Sequence, residues 1–395
     1  VKVLILHQHF NTPAQGGAIR SYYLAKALLD HGLGVVVITG HNDVHYKTDN
    51  YEGIEIHYVP APYNNNFGFY KRIFSFIQYF AKSLRVARTL KDVNFCYAIS
   101  VPLTTGLAGI IIGRRLKVPF IFEVGDLWPD APIQLGFINN PLLKQLLWSM
   151  EKTIYRNASA IVALSPSIAS AVRKKAPGPP IHLIPNFSDT DFYRPEEKKT
   201  TLIEKFGVSN KFVVSYIGAV GFANGLDFFL ECARASKKAE LPVHFLIVGE
   251  GAMRERLQQT AASLQISNVS FIPLQNRNGV QEVMNVTDAA FICYRPFSIL
   301  ETGSPNKYFD GLAAGKLIFI NFGGWIKEEI EKEKCGAYID PKNPRSFVDV
   351  ITAFIQDPKT TEKYRENARS LALRKYDRQI LSHTYASIFK NFKSS

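Results

Sequence analysis

Cysteine is scarce in this chain, four among 395 residues, and the four (Cys96, Cys232, Cys293, Cys335) stand far apart. That scarcity excludes a dense disulfide framework and the paired-cysteine spacings of zinc sites, and it points to a reducing cytoplasm. No uninterrupted apolar run reaches the ~18 residues that a membrane-spanning helix needs. The opening VKVLILHQHF lacks the basic start and small-residue cleavage site of a signal peptide and reads as a first buried strand. Internal sequence repeats and low-complexity tracts are missing. So are two nucleotide fingerprints. The glycine loops have neither the acidic residue after the second strand that a dinucleotide site needs nor the G-x-x-x-x-G-K-S/T of a phosphate loop, which disfavours a nicotinamide or ATP enzyme. No Ser/His/Asp spacing and no metal-ligand spacing is present. His7 and His9 alternate across a strand end, where packing is the commoner role for one of them.

What is present is a globular composition, 46% hydrophobic and 21% charged, at a length suited to two α/β domains. The formal charge of +13 calls for an anionic partner: nucleic acid, a phosphate-bearing substrate or a membrane surface. It leans toward the first half, with 20 Lys+Arg against 12 Asp+Glu in residues 1–195 and 27 against 22 in 196–395.

The opening reads strand Val1–Gln8, loop His9–Gly17, helix Ala18–His31, a capping Gly32 and strand Val35–Thr39. The pattern returns as strand Phe212–Ile217, loop Gly218–Gly225, helix Leu226–Lys238 and strand Val243–Val248. Strands of Val, Ile and Phe on both faces predict parallel sheets covered by helices. The expected fold class is therefore α/β with two Rossmann-like, doubly wound domains, residues 1–190 and 191–375. A hinge falls near Pro185–Thr201, and a C-terminal helix, 376–395, packs back on the first domain.

Three segments carry chemistry. In SPNKYFDGLAAGK, Ser304 can cap a helix, Pro305 suits its first turn and Gly315 stops it. The free N–H groups around Asn306 and Lys307 form an anion site, Gly303 permits close approach, and Lys307 and Asp310 share one helix face. A cation beside the phosphates and a carboxylate one turn deeper can hold a nucleotide by its diphosphate and a sugar hydroxyl. A well-capped surface helix would show the same cap. In NTPAQGGAIR, Gly16 and Gly17 precede the first helix and Arg20 lies in its first turn, aimed at an anion or simply forming a flexible turn. The loop GAVGFANG, with Gly218, Gly221 and Asn224, is its counterpart in the second half. In VPFIFEVGDLWPDAP, Glu123 and Asp126 end a buried strand, where parallel sheets place ligand-contacting groups. An Asx turn before Pro129 accounts for Asp126 equally well.

Together these segments resemble retaining GT-B glycosyltransferases of family 4, more narrowly the bacterial O-antigen and capsule transferases that include N-acetylfucosaminyltransferases. The resemblance runs through HQHFNTPAQGGAIRSYYLAKAL, GDLWPDAPIQLG, ASAIVALSPS, IPNFSD, YIGAVGFANGLD, FLIVGEG and SPNKYFDGLAAGK in order. It implies two domains facing across a cleft, a sugar nucleotide held mainly by the second and an acceptor held mainly by the first. Asp310 then matches the ribose carboxylate, Gly303–Lys307 (with Ser304, Pro305 and Asn306) the diphosphate cradle, Gly16 and Gly17 the loop over the phosphates, and Pro273–Gln275 the strand end meeting the base. The sequence departs at Gly125, where many relatives carry a catalytic histidine, at Thr302 with Glu301 adjacent, and at Ala219 and Asn224, where relatives carry Arg and Lys. Lys307 and Arg20 are the substitute phosphate cations, and Asp126 and Lys307 the catalytic candidates. The implied reaction retains configuration and uses neither cofactor nor metal. Its donor is a UDP-linked N-acetylated sugar and its acceptor a glycan or polyprenyl-diphosphate-linked saccharide in surface polysaccharide synthesis.

A UDP-sugar epimerase of the same architecture is the alternative. A basic nucleic-acid-binding protein is disfavoured because no recognition motif or basic tail is present. From Phe69 to Lys91 the chain has six basic and no acidic residues. An apolar stripe runs through Phe69, Ile73, Phe76, Ile77, Phe80, Leu84 and Ala87, which predicts a helix that docks on the inner, anionic face of a cell membrane or faces the core.

Overall fold

The structure is a computed structural model that describes residues 1–15, 19–64 and 67–392. The chain divides into two compact units. One runs from Val1 to Pro185 and takes in the segment from Gln379 onward; the other is Asn186–Arg378.

The first unit is built on β1 (Lys2–Leu6), β2 (Gly34–His41), β3 (Lys47–Tyr51), β4 (Ile54–Pro60), β5 (Phe95–Ile99), β6 (Phe120–Val124), β7 (Ala160–Ala163) and β8 (Ile181–Leu183). They form one sheet in the order β3-β4-β2-β1-β5-β6-β7-β8. All pairs are parallel except β3 with β4. Val3 to Leu6 and Val35 to Ile38 are buried on both sides of the pleat, as strands covered by helices on both faces must be. The hairpin strand β3, KTDNY, is almost wholly polar and exposed, and its pattern gave no strand signal. Helix starts follow the local chemistry. Asn140 accepts the Leu143 N–H and Ser165 the Ile168 N–H, both at 3.0 Å, with a proline in the first turn of each helix. The C-terminal helix, Arg378–Lys390, packs within this unit: Tyr385 meets Tyr97 and Phe389 meets Phe95 edge to face, each pair at 5.3 Å.

The second unit carries β9 (Phe212–Ile217), β10 (Val243–Val248), β11 (Val269–Ile272), β12 (Ala289–Ile292), β13 (Leu317–Ile320) and β14 (Gly336–Tyr338). The sheet is wholly parallel in the order β11-β10-β9-β12-β13-β14. Its core is aromatic. Phe229 of helix Leu226–Lys238 meets Phe245 at 5.1 Å and Phe291 at 5.5 Å, and Phe347 closes on Phe319 at 5.9 Å. Such pairs contribute about 0.5–1.5 kcal/mol each beyond the area they bury. Strand, helix and strand here have the bounds expected from the sequence, because long apolar runs and a glycine-rich turn leave little latitude.

Each sheet reverses its direction of winding once. In the second unit the chain moves from β9 outward to β11, then returns to β12 on the other side, so β9 and β12 flank the crevice where such sheets bind ligands. In the first unit the reversal falls between β1 and β5.

Candidate active site

At the carboxyl end of β9 the chain turns through Gly218, whose φ of +151° suits glycine. A Cβ on Gly249, at the end of β10, would fall 2.0 Å from the Gly218 carbonyl oxygen, so the two loops lie backbone against backbone. Across the crevice, helix Asn306–Ala313 brings Lys307 to the same place. The Lys307 amine donates to the Tyr216 hydroxyl at 3.3 Å, lies 4.7 Å from the centre of that ring and 5.9 Å from the centre of the Tyr294 ring. A Cβ on Gly218 would stand 3.0 Å from Lys307 Cε, so glycine at that point makes room for the lysine. Asn321, buried at the end of β13, clamps the Tyr294 backbone with two bonds of 2.9 Å and fixes that ring at the crevice.

Among the described residues Lys307 forms no ion pair with a carboxylate. Loss of hydration pushes its pKa down to about 8, against the weaker pull of Cys293 and Asp310. Asp310, one turn further along the helix, is half-buried, and no hydrogen bond to its carboxylate is formed among the described residues. Loss of hydration raises its pKa to about 7; Arg277 and Lys307 oppose the rise and Asp189 adds to it. The unit thus holds a cation and a carboxylate that each lack the usual compensation, side by side at its switch point.

The cap differs from expectation. The helix begins at Asn306 with Pro305 as the capping residue, and no side chain caps it. Ser304 instead accepts the Asn186 N–H at 3.2 Å, and the Asn186 side-chain amide donates to the Ser304 carbonyl. The Ser304 hydroxyl therefore ties the helix start to Asn186 rather than satisfying the helix N–H groups. Gly315, at φ +61°, does close the helix. Gly303 is extended, and its carbonyl accepts the Trp325 indole N–H at 2.9 Å. Glu301 accepts the Gly323 N–H at 3.3 Å, while the Thr302 hydroxyl donates to the Ile299 carbonyl. The Asn224 side-chain oxygen Oδ1 accepts the Gly221 N–H at 3.2 Å and so shapes its own loop. Pro273 and Gln275 follow β11, two strands from β9, and bond to each other at 3.0 Å.

In the first unit Gly16 and Gly17 lie outside the described residues. Arg20 departs from its reading as a phosphate cation. Its guanidinium makes two 3.1 Å bonds to Glu123, which is 1% exposed, and donates to the Ile184 and Pro185 carbonyls at 2.8 and 2.6 Å. The buried carboxylate needs a counter-charge, Arg20 supplies it, and the Tyr97 hydroxyl adds a further bond. Asp126 stands exposed beyond β6. The Trp128 N–H goes to the backbone carbonyl of Asp126, so the carboxylate makes no Asx turn there. Asp130 is bound by the Trp148 indole at 2.7 Å and by Lys175. His7 pairs with the Ser21 hydroxyl at 2.8 Å and His9 packs on Tyr63; burial lowers their pKa values to about 3 and 4, so both rings are neutral at pH 7. Among the described residues no three of His, Cys, Asp and Glu are grouped to hold a metal ion.

Tyr216, Tyr294, Asn321 and Asn186 were not anticipated. The two tyrosines lie in or next to apolar strands and read as core; the Asn186 segment, IPNFSD, and the segment that Tyr216 opens, YIGAVGFANGLD, carried a signal without either residue being singled out.

Two domains of this kind, each with its switch point, define the GT-B class. Residues 15–186 match the family model "Glycosyl transferase 4-like domain" and residues 198–371 match "Glycosyl transferases group 1". The chain is a glycosyltransferase of the GT-B class. It is 21% identical over 301 residues, 71% of this chain and 72% of the relative, to the alpha-D-kanosaminyltransferase of Streptomyces kanamyceticus. To the putative colanic acid biosynthesis glycosyl transferase WcaI of Escherichia coli it is 22% identical over 266 residues, 66% of this chain and 64% of that protein. The structure of Anabaena HepE in complex with UDP-glucose superposes with a TM-score of 0.73 at 16% identity, covering 99% of this chain and all of the other.

Proposed function

We propose that the chain transfers a glycosyl group from a nucleotide-diphosphate sugar to a glycan or polyprenyl-diphosphate-linked acceptor, with retained configuration, in cytoplasmic steps of surface polysaccharide synthesis. The observation that carries this reading is the pairing of Lys307 and Asp310 at the β9/β12 switch point, among the described residues a cation without an ion-pair partner and a carboxylate without a hydrogen bond. A diphosphate beside Lys307 and a ribose hydroxyl donating to Asp310 would satisfy both. That HepE has the same fold and was captured with UDP-glucose supports the donor class, and the likeness to WcaI supports the pathway class. The resemblance read from the sequence favours a UDP-linked N-acetylated sugar.

In the transfer, the acceptor hydroxyl oxygen bonds to the anomeric carbon as the bond from that carbon to the diphosphate oxygen breaks. The electron pair leaves with the diphosphate, and the acceptor proton passes to the departing phosphate oxygen. Lys307 and the N–H groups of the first helical turn stabilise the growing negative charge. Asp126 orients the acceptor.

A panel of sugar nucleotides scored by thermal shift tests the donor class, because a ligand that binds only the native state raises the melting temperature by mass action. UDP-sugars should stabilise the protein, and the Lys307→Met variant should not respond. Conversion of a donor to its epimer without acceptor would replace transfer by epimerisation.

A further inference from the structure

Helices Phe69–Ala87, Leu103–Leu116, Pro141–Asn157 and Pro166–Lys175 connect β4 to β5, β5 to β6, β6 to β7 and β7 to β8. Every one of these crossovers advances the same way along the sheet, so the right-handed rule puts all four helices on one face. They pack side by side in that order. Helix Arg20–Asp30 crosses in the opposite direction and lies on the other face, where His31 at its end meets His383 of the C-terminal helix.

The four-helix face has an unusual composition. Its sixty residues hold twelve Lys and Arg and a single acidic residue, Glu151. Glu151 is buried and bound to Lys175 at 2.7 Å, so it offers no outward negative charge. This net +11 is most of the +13 of the whole chain. The same face exposes Tyr70 (85%), Phe74 (62%), Leu142 (78%) and Leu146 (65%), joined by Ile73, Ile77, Ile111 and Trp148. The helix from Phe69 turns a different side outward than its sequence stripe suggested. Ser75, Tyr79, Ser83 and Ala87 are buried with Phe76, Phe80 and Leu84 beside them, and the outward apolar set is Tyr70, Ile73, Phe74 and Ile77. The side chain of Phe69 lies outside the described set.

The two properties are banded. These helices run antiparallel to the strands, so their first halves lie toward the carboxyl edge of the sheet, the edge that carries Asp126. The exposed apolar residues of helices Phe69–Ala87 and Pro141–Asn157 fall in those first halves. Lys82, Arg85, Arg114, Arg115, Lys152, Arg156, Arg173, Lys174 and Lys175 fall in the second halves, while Lys71, Arg72 and Lys144 stand among the apolar residues of the first halves. A protein partner would need an acidic surface wide enough to span four helices, with apolar sockets along one margin. An anionic bilayer presents both a negative headgroup plane and an apolar interior.

We infer that this face is a membrane-docking surface, with the apolar band inserted at the headgroup level and the basic band lying on anionic lipid. The docking goes beyond the donor chemistry and does not depend on it. It would carry the Asp126 edge of the first unit to the bilayer surface, where a lipid-linked acceptor is held. Each basic residue near an anionic leaflet strengthens binding roughly fivefold, and the attraction fades within a Debye length. Insertion of the aromatic and aliphatic side chains adds a term that salt does not screen.

The test is sedimentation of the whole chain with vesicles of phosphatidylglycerol and phosphatidylethanolamine, and with vesicles of phosphatidylcholine, at low ionic strength and without nucleotide. The expected result is binding to the anionic vesicles alone. The triple variant Arg115→Gln, Lys152→Gln, Arg173→Gln should lower the partition coefficient on the order of a hundredfold. Phe74→Ser and Leu146→Ser should each lower it about tenfold with the melting temperature unchanged, since both side chains are exposed. The inference is overturned if the protein stays in the supernatant with anionic vesicles, pellets equally with neutral ones, or binds undiminished in the two serine variants. A concentration-dependent dimer in sedimentation velocity that Phe74→Ser dissolves would equally overturn it, assigning the face to a second copy of the chain. Nucleotide binding measured in parallel keeps failure of docking distinct from failure of the donor reading.

Discussion

Replacing Lys307 by Met should make the free protein more stable and the donor-binding protein inert. The amine sits half-buried between Tyr216, Tyr294 and Gly218 with no carboxylate of the described residues in ion-pair range, and its pKa falls from 10.5 to about 8. That depression corresponds to about 3 kcal/mol against the charged form. Because the side chain keeps part of its hydration, and the tyrosine ring returns some cation–π attraction, a gain of about 1–2 kcal/mol on removing the charge is the fair expectation. The sign follows from linkage. Between pH 8 and 10.5 the unfolded chain binds the proton that the folded chain has released, so wild-type stability should rise through that window and the Met variant should lack the rise. Below pH 8 the full penalty applies, and there Lys307→Met should melt higher. For a unit of this size each kcal/mol shifts the midpoint by about 2–4 °C. Scanning calorimetry at pH 7 and pH 9.5, with and without UDP, measures all of this. A lower melting temperature for the variant at pH 7, or an unaltered shift on adding UDP, would refute the argument and make Lys307 a structural lysine.

Asp310→Ala should weaken UDP binding by roughly 1.5–3 kcal/mol in calorimetry, the range for a hydrogen bond to a charged group; unchanged affinity in a folded variant removes Asp310 from the site. With Asp310 ionising at about 7 and Lys307 losing its proton at about 8, donor affinity should peak between these values, falling tenfold per unit on either flank. A flat profile from pH 6 to 9 contradicts the assignment. Asp126→Asn should leave donor affinity intact and cut turnover about a hundredfold, within the range for positioned acid–base and orienting groups; wild-type turnover returns the residue to a surface loop.

The two sheets and their helices were legible because fully covered parallel strands leave unbroken apolar runs, and glycine or proline punctuates each end. The polar edge strand β3 lacks that signature: its backbone is held by β4, which gives its side chains no reason to be apolar. Local chemistry also misassigned the cap. Ser304 precedes a proline and a helical run, yet its hydroxyl is captured by Asn186, 118 residues away in sequence, and no window of local residues contains that competitor. Tyr216 and Tyr294 escaped notice for a related reason, since an aromatic ring that lines a switch point is indistinguishable in sequence from one that fills a core. The Lys307–Asp310 pair was accessible because both members lie on one short helix, and i,i+3 spacing fixes their common face.

Arg20 and Lys307 show why a basic residue beside a glycine loop is ambiguous until its partners are counted. Both follow a strand end by one loop, and both looked like phosphate cations. Arg20 has Glu123, Ile184 and Pro185 around its guanidinium, whereas among the described residues Lys307 has only a phenol and two ring faces. The first arrangement is complete without a ligand and the second is not. Arg20→Met should therefore act through stability. It strands the Glu123 carboxylate in a site 1% exposed, a loss of about 3–5 kcal/mol, or on the order of 10 °C. Adding Glu123→Gln removes the stranded charge and should recover most of the loss, a coupling that a double-mutant cycle reads directly. UDP affinity should be unchanged in both variants wherever they remain folded. If Arg20→Met melts like the wild type and instead raises the donor KM, the guanidinium reaches the diphosphate during turnover, and the ion pair with Glu123 is only its resting position.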